Sequence, residues 1–183
     1  GGGFTVCSML PIVLAAYRNG TKWGLLTGFV YAVVQMLLGF KTVSAFFMPG
    51  SDSYMVLWKA VCVCLIDYII AYTVLGLGGI FRNKIKNPSV SLCVGSIFAL
   101  SLRYIAHIIS GFIFFGTWAD WFFSQDGFTL GAKILEKFSG QGLAFLYSVI
   151  YNGLYMIPEI IITAIVALII GRVPQISGRK NTK

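Results

Sequence analysis

The chain has 183 residues, of which 57% are hydrophobic and only 11% are charged, and its mean hydropathy is +0.84. A soluble domain is about half apolar and about a quarter charged, so this chain has too much apolar surface for one soluble core. The composition indicates an integral membrane protein. The length suits one bundle of about five or six spanning helices, at about 20 residues for each span.

The net charge of +8 comes from short basic clusters that lie between long apolar runs. This pattern is typical of membrane loops beside the anionic headgroups of a lipid bilayer, and it argues against nucleic acid as a partner. The cysteines form no C-x-x-C pair, and Cys62, Cys64 and Cys93 lie inside apolar runs. We interpret them as small buried side chains rather than as metal ligands.

Five apolar segments predict an all-α integral membrane protein, a compact bundle that forms one domain over residues 1–183. Backbone polar groups at membrane depth must be satisfied within their own segment, which favours helices over isolated strands. The predicted helices cover roughly residues 8–17, 23–40, 54–81, 88–118 and 142–171.

Loop charges predict the orientation of the chain. The loops after the first, third and fifth segments carry nine basic residues and no acidic residue, whereas the opposite loops combine three lysines with four carboxylates. Because basic loops stay in the cytoplasm, we expect a cytoplasmic C-terminus and external loops at 41–53 and 119–141.

The chain starts with Gly1-Gly2-Gly3, a loop-like string that leads at once into membrane sequence. With five spans the N-terminus would lie outside the cell, whereas a sixth helix ahead of Gly1 would return it to the cytoplasm. The pattern therefore predicts that an upstream helix is missing from this chain.

Ionisable residues inside the predicted spans are costly, so each is a candidate functional residue. Asp67 lies in the string CLIDYIIAY of the third segment. Its carboxylate could pair with Arg103 or Lys59, or it could balance the charge of a cationic substrate. Glu159, directly after Pro158 in the last segment, is assigned to a structural pair with Arg103 in preference to a ligand contact.

The fourth segment predicts a stripe of side chains at helical spacing. The stripe consists of Arg103, His107, Gly111, Phe114 and Trp118, with Phe115 beside it. His107 could bond a neighbouring helix or contact a ligand, and Gly111 would leave space for a ligand beside the imidazole. The aromatic rings that continue the stripe could stack on a flat heterocycle.

The last segment carries polar side chains near its outer end, in the string LYSVIYNGLYMIPEIIIT. Tyr147, Tyr151 and Tyr155 could each belong to an interfacial aromatic belt or contact a ligand. Asn152 has two donors and an acceptor, which suit the edge of an aminopyrimidine. Together with Asp67, these residues predict an aromatic cage with one carboxylate, which matches a flat organic cation.

Several strings of the sequence resemble the thiamine-specific S-components of energy-coupling-factor (ECF) transporters, the ThiT family. They are GGGFTVCSMLPIVLAAYRNGTKWGLLTGFVYAVVQ, LIDYIIAYTVLGLGGIF, RYIAHIISGFIFFGTWA and YNGLYMIPEIIITAIVA. The match is collinear over almost the whole chain. Its most specific part is R-Y-x-x-H-x-x-x-G-x-x-F/W followed by the Y-N-G segment.

The resemblance implies a six-helix S-component fold, here without its first helix, in a bacterial plasma membrane. Such a protein binds thiamine in an outward-facing pocket, is not an enzyme and needs no cofactor. It docks onto a transmembrane coupling protein and two ATPase subunits, which alone use ATP. The sequence itself contains no Walker A pattern.

The resemblance also implies ligand contacts at Asp67, Tyr68, His107, Gly111, Phe115, Tyr147 and Asn152. In the family the acidic residue balances the thiazolium charge. Asp67 stands where some relatives have Glu, and Phe115 stands where some have Trp. The smaller Phe115 ring predicts a weaker cation–π contact, unless Trp118 compensates.

Two other functions stay open at this point. One is an S-component for another vitamin or for a pyrimidine precursor such as hydroxymethylpyrimidine. The other is an intramembrane hydrolase that uses His107 with Ser110 or Ser148, although neither G-x-S-x-G nor H-E-x-x-H occurs.

Overall fold

The structure, a computed structural model, describes residues 5–174. Within that range it has eight helices and no strand, which confirms the all-α fold. The helices are α1 (Leu10–Asn19), α2 (Thr21–Leu38), α3 (Phe40–Ala45), α4 (Leu57–Phe81), α5 (Pro88–Phe114), α6 (Ala119–Phe123), α7 (Gly131–Lys137) and α8 (Gly140–Ile170). Of these, α2, α4, α5 and α8 are long and apolar enough to cross a membrane.

The first helix is too short to span a membrane, which corrects the prediction of five spans. It has 10 residues, or about 15 Å at about 1.5 Å per residue. Pro11 lies in its first turn and Gly20, at φ 96°, ends it. Val13, Ala16 and Tyr17 are fully buried, so α1 lies inside the bundle rather than against lipid.

The two long connections contain the short helices α3, α6 and α7, which the sequence analysis assigned to loops. A helix of fewer than two turns shows too little apolar periodicity to be recognised in a sequence. The α5 helix also ends at Phe114 rather than at residue 118, because Phe115 leaves helical geometry at φ −117° and ψ 5°. Trp118 therefore lies in a separate 3₁₀ turn, Gly116–Trp118, and not on the α5 stripe.

Glycines bring the last third of α4 into close contact with its neighbours. This part is a 3₁₀-helix, Val74–Phe81. A Cβ at Gly76 would overlap the backbone of Leu25 in α2, and a Cβ at Gly95 in α5 would overlap the Gly78 carbonyl. Membrane helices associate largely through such close backbone packing, so these glycines hold α2, α4 and α5 together.

Replacing Gly76 with Ala should destabilise the protein by about 1–3 kcal/mol, because the added methyl group must push the α2 backbone away. Thermal unfolding of the purified protein in detergent measures the change. Gly142→Ala is the matched control, since a Cβ there meets only Phe138 Cδ1, at 3.9 Å. A melting temperature for Gly76→Ala equal to that of the unaltered protein would contradict the packing role.

One end of the bundle, here called the basic end, joins the α1–α2 turn, the α4–α5 loop and the end of α8. The Arg82 guanidinium donates to the Arg18 carbonyl, and a Cβ at Gly171 would overlap Ser89. The described basic residues there are Arg18, Lys22, Arg82, Lys84, Lys86 and Arg172. Arg179, Lys180 and Lys183 lie outside the described residues. The opposite end, with both long connections, is here called the loop end.

Candidate functional site

A cavity of about 1010 Å³ lies between α2, α4, α5 and α8. At the loop end its wall includes Tyr54 and Trp121, and its deep side reaches Ser8 and Met9 just before α1. The cavity is lined by every residue that the sequence analysis placed in the substrate site: Asp67, Tyr68, His107, Gly111, Phe115, Trp118, Tyr147, Tyr151, Asn152 and Tyr155. The fold therefore brings these residues together, and their contact with a ligand stays a prediction.

Asp67 lies in a π-helical segment, Cys64–Ile70, in the middle of α4. A π-helical turn changes the direction in which side chains leave a helix, and such turns are frequent at functional sites. The segment CLIDYII contains neither glycine nor proline, so no residue in it marks the change of geometry. The Asp67 side chain is 19% exposed and forms part of the cavity wall.

Both carboxylate oxygens of Asp67 are hydrogen-bonded to α5. Oδ1 lies 2.8 Å from His107 Nδ1, and Oδ2 accepts a hydrogen bond of 2.6 Å from Ser110 Oγ. Across residues 5–174 the partners of the Asp67 carboxylate are His107 and Ser110, so the alternative pairs with Arg103 or Lys59 are wrong. Two partners on one helix hold the carboxylate in a single orientation.

Arg103 and Glu159 have separate partners, so the predicted pair between them is wrong for the described part of the chain. Arg103 Nε donates to His107 Nε2 at 3.2 Å, and its guanidinium lies 4.5 Å from the centre of the Tyr72 ring. Glu159 is only 2% exposed and accepts a hydrogen bond of 3.1 Å from Thr5 Oγ1. Arg103 thus belongs to the cavity wall, whereas Glu159 ties α8 to the segment before α1.

Gly111 has a packing role that sequence reasoning did not foresee. A Cβ at Gly111 would overlap Ser148 Oγ. The missing side chain therefore lets α5 and α8 approach each other. In turn, Ser148 Oγ donates to the Ile108 carbonyl at 2.8 Å, which fixes the same contact. Gly111 also lines the cavity, so its contact with a ligand stays a prediction.

Asn152 uses most of its hydrogen-bonding capacity within the protein. Its Nδ2 donates to the carbonyls of Ser148 at 2.8 Å and His107 at 3.2 Å, while Oδ1 accepts from the Tyr155 hydroxyl at 2.5 Å. Asn152 can therefore offer a ligand one acceptor lone pair, not the two donors that the sequence analysis expected. It connects α8 to the backbone of α5 beside the imidazole.

Aromatic side chains of α8 form one wall of the cavity. The rings of Tyr147 and Tyr151 lie 5.5 Å apart, and Phe122 of α6 packs edge-on against both. Deeper in the cavity, Tyr155 packs edge-on against His107 at 6.1 Å. The result is a continuous aromatic surface from the loop end down to the imidazole.

Further aromatic side chains line the cavity near the loop end. Phe115 packs edge-on against Phe46 of the first long connection, with ring centres 6.4 Å apart. Trp118 and Trp121 pack edge to face at 5.7 Å, on the connection between α5 and α8. Both long connections therefore contribute to the wall where the cavity reaches the loop end.

The sequence analysis missed further cavity residues, among them a polar and aromatic group formed by Tyr31, Gln35 and Tyr72. Gln35 Nε2 donates to the Tyr31 hydroxyl at 2.5 Å, and the Tyr31 and Tyr72 rings pack edge-on at 5.1 Å. A signal was present, because an amide inside the uncharged apolar run 23–40 is costly unless it has a partner.

Asp67, His107 and Ser110 lie together, but they are not connected as in a hydrolase. In a catalytic triad the imidazole accepts the serine proton and the carboxylate orients the imidazole from its other side. Here Ser110 donates directly to Asp67, and the second imidazole nitrogen faces Arg103. Ser148 donates to a backbone carbonyl. Neither candidate nucleophile therefore has His107 as its base.

Comparison with known proteins identifies the family. Residues 1–124 match the family described as "Thiamine transporter protein (Thia_YuaJ)". The chain is also 32% identical over 174 residues to the thiamine transporter ThiT of Bacillus subtilis (strain 168), a match that covers 90% of this chain and 73% of that protein. The chain therefore belongs to the thiamine transporter family, and its apolar helices make it a multi-pass membrane protein.

Proposed function

We propose that this protein is the thiamine-binding S-component of an ECF transporter in a bacterial plasma membrane. The observation that carries the proposal is the position of Asp67, a fixed carboxylate in a cavity with aromatic walls inside an apolar bundle. Membership of the thiamine transporter family supports thiamine over other vitamins. A cavity of about 1010 Å³ has room for its two linked rings.

Thiamine joins a permanently positive thiazolium ring to an aminopyrimidine. A permanent cation inside a membrane bundle needs a counter-charge, and Asp67 supplies one at the cavity wall. The aromatic walls add stacking contacts to both rings and cation–π contacts to the thiazolium ring. His107 lies between Asp67 and Arg103, so the imidazole separates the guanidinium from the proposed cation site.

The direction of uptake follows from the two ends of the bundle. The basic end carries no acidic residue among those described, so by the positive-inside rule it faces the cytoplasm, as does the C-terminus. The loop end then faces outward, and thiamine enters between the two long connections. Movement of these connections over the bound vitamin would exclude water from the charge pair.

The family resemblance supports a division of labour between subunits. This protein captures and releases thiamine, while a transmembrane coupling protein and two ATPase subunits provide the energy from ATP. The chain's own residues therefore have only binding and conformational tasks: Asp67 balances charge, the aromatic walls enclose the rings, and the basic end meets the coupling subunits.

Titration of the purified protein with thiamine should quench its tryptophan fluorescence in a saturable way. The reason is that Trp118 and Trp121 line the cavity, whereas Trp23 and Trp58 are not among the described residues that line it. Fluorescence titration measures the signal, and isothermal calorimetry gives an independent affinity.

The matched control replaces Trp23 and Trp58 together with Phe, which should leave the thiamine signal intact. Replacing Trp118 and Trp121 with Phe should remove most of it. Saturable binding of hydroxymethylpyrimidine in the absence of any thiamine binding would overturn the proposal and favour an S-component for a pyrimidine precursor.

A further inference from the structure

We infer that Arg103 is a positioning residue that holds His107 Nε2 as a hydrogen-bond acceptor and thereby fixes the imidazole proton on Nδ1, where it is donated to Asp67. The statement about the tautomer concerns this chain's own side chains. Only its consequence for thiamine rests on the proposed function.

The tautomer follows from the donors and acceptors on either side of the ring. A guanidinium has donors and no acceptor, so Arg103 Nε at 3.2 Å requires a lone pair on His107 Nε2. On the other side, Asp67 Oδ1 is an acceptor 2.8 Å from Nδ1, which requires a proton there. The opposite tautomer would place two lone pairs together at Asp67 and two donors together at Arg103.

The guanidinium is itself held in place, so it can impose this arrangement. Arg103 is 8% exposed and lies 4.5 Å from the centre of the Tyr72 ring, with one terminal nitrogen 3.4 Å from the Tyr72 hydroxyl. Tyr72 is in turn packed against Tyr31. Because residues 103 and 107 are four apart on α5, their side chains share one face of the helix.

The arrangement keeps the charge of Asp67 available for a cation. A doubly protonated His107 would direct an N–H at the guanidinium and would add a second positive charge beside it, so the geometry favours the neutral ring. A neutral donor orients Asp67 without cancelling its charge. The cavity wall therefore presents a carboxylate whose partners, His107 and Ser110, are both uncharged donors.

The test uses the fact that the chain has one histidine. Nitrogen-15 NMR of protein labelled at histidine reports on His107 alone, at neutral pH and without thiamine. We expect a protonated Nδ1 and an unprotonated Nε2. A proton on Nε2 in the unaltered protein would overturn the inference.

Variants of Arg103 test the cause. Arg103→Met removes the donor, so Nε2 should gain a proton in a measurable share of molecules, whereas Arg103→Lys retains a charged donor and should keep the Nδ1 form. An unchanged tautomer in Arg103→Met would also overturn the inference. The melting temperature of Arg103→Met shows whether that variant has lost its structure. If it has, the tautomer measured in the unaltered protein still tests the inference.

Thiamine titration of the same proteins separates this inference from the proposed function. Arg103→Met should bind thiamine about tenfold more weakly, the expected effect of losing one charged hydrogen bond beside the site, and Arg103→Lys should stay close to the unaltered protein. If the unaltered protein shows the Nδ1 tautomer but binds no thiamine, the proposed function fails alone. If it binds thiamine with the proton on Nε2, the inference about Arg103 fails alone.

Discussion

Replacing Asp67 with Asn is expected to weaken thiamine binding about 100- to 1,000-fold. Removing one partner of a buried charge pair costs about 2–5 kcal/mol, because the other charge stays buried without compensation, and about 1.4 kcal/mol corresponds to a tenfold change in affinity. An Asn side chain has one acceptor oxygen instead of two. It therefore cannot accept hydrogen bonds from both His107 and Ser110, and the orientation of the side chain is lost. Isothermal calorimetry measures the affinity directly.

Asp52→Asn is the matched control for this variant. Asp52 also lines the cavity, but it is exposed on a connection at the loop end, where water and salt screen its charge. Its replacement should therefore change the affinity less than about threefold, the effect of an exposed pair.

A neutral ligand provides the second control. A pyrimidine analogue without the thiazolium ring should lose much less affinity than thiamine when Asp67 becomes Asn, because it brings no charge to balance. Equal losses for the two ligands would show that Asp67 acts through its hydrogen bonds and not as a counter-ion.

Many of the polar residues that line the cavity could be predicted from the sequence, because placing a polar group inside a membrane costs free energy. Asp67 and His107 lie in apolar runs, and ionisable residues in membrane helices almost always face the interior of the bundle or a cavity. Asn152 and Tyr155 share one face of α8, which helical spacing alone predicts. The all-α fold could be predicted from the apolar composition, because backbone groups in a bilayer must form their hydrogen bonds within the protein.

The partners of these residues were not predictable, because they depend on how each helix is rotated about its axis. The π-helical segment Cys64–Ile70 changes the direction of Asp67, and nothing in its sequence marks it. Asp67 therefore meets His107 and Ser110 rather than Arg103. Arg103 instead bonds the residue one turn ahead on its own helix, and that short-range contact could have been read from the spacing of 103 and 107.

The packing roles of small and polar residues were hidden for a different reason. A sequence shows that Gly111 has no side chain, but only the structure shows that Ser148 of α8 takes the space. Likewise, the N–H donors of an asparagine can bond a ligand or a neighbouring backbone carbonyl, and the sequence does not distinguish the two. The choice depends on interhelical distances of a few tenths of an ångström, which no pattern of residue types contains.

Asn152→Leu is expected to lower the free energy of unfolding by about 3–5 kcal/mol even without thiamine. The substitution keeps the side-chain volume but removes the donor for the Ser148 and His107 carbonyls and the acceptor for the Tyr155 hydroxyl. The two carbonyls keep their helical N–H donors and each lose one hydrogen bond worth about 0.5–1.5 kcal/mol, whereas the Tyr155 hydroxyl loses its acceptor, which costs about 1–3 kcal/mol. Thermal unfolding in detergent measures the loss.

Leu154→Ala is the matched control on the same helix, because Leu154 is 63% exposed on the outer face of α8 and its truncation leaves no polar group without a partner. Asn152→Leu should also weaken thiamine binding about tenfold, since the network that it breaks positions the backbone beside the imidazole and the Tyr155 hydroxyl. The two readouts decide between the roles of Asn152. A structural residue loses stability and affinity together, whereas an unchanged melting temperature with a large loss of thiamine binding would show that the amide serves the ligand and that the α5–α8 connection is made elsewhere.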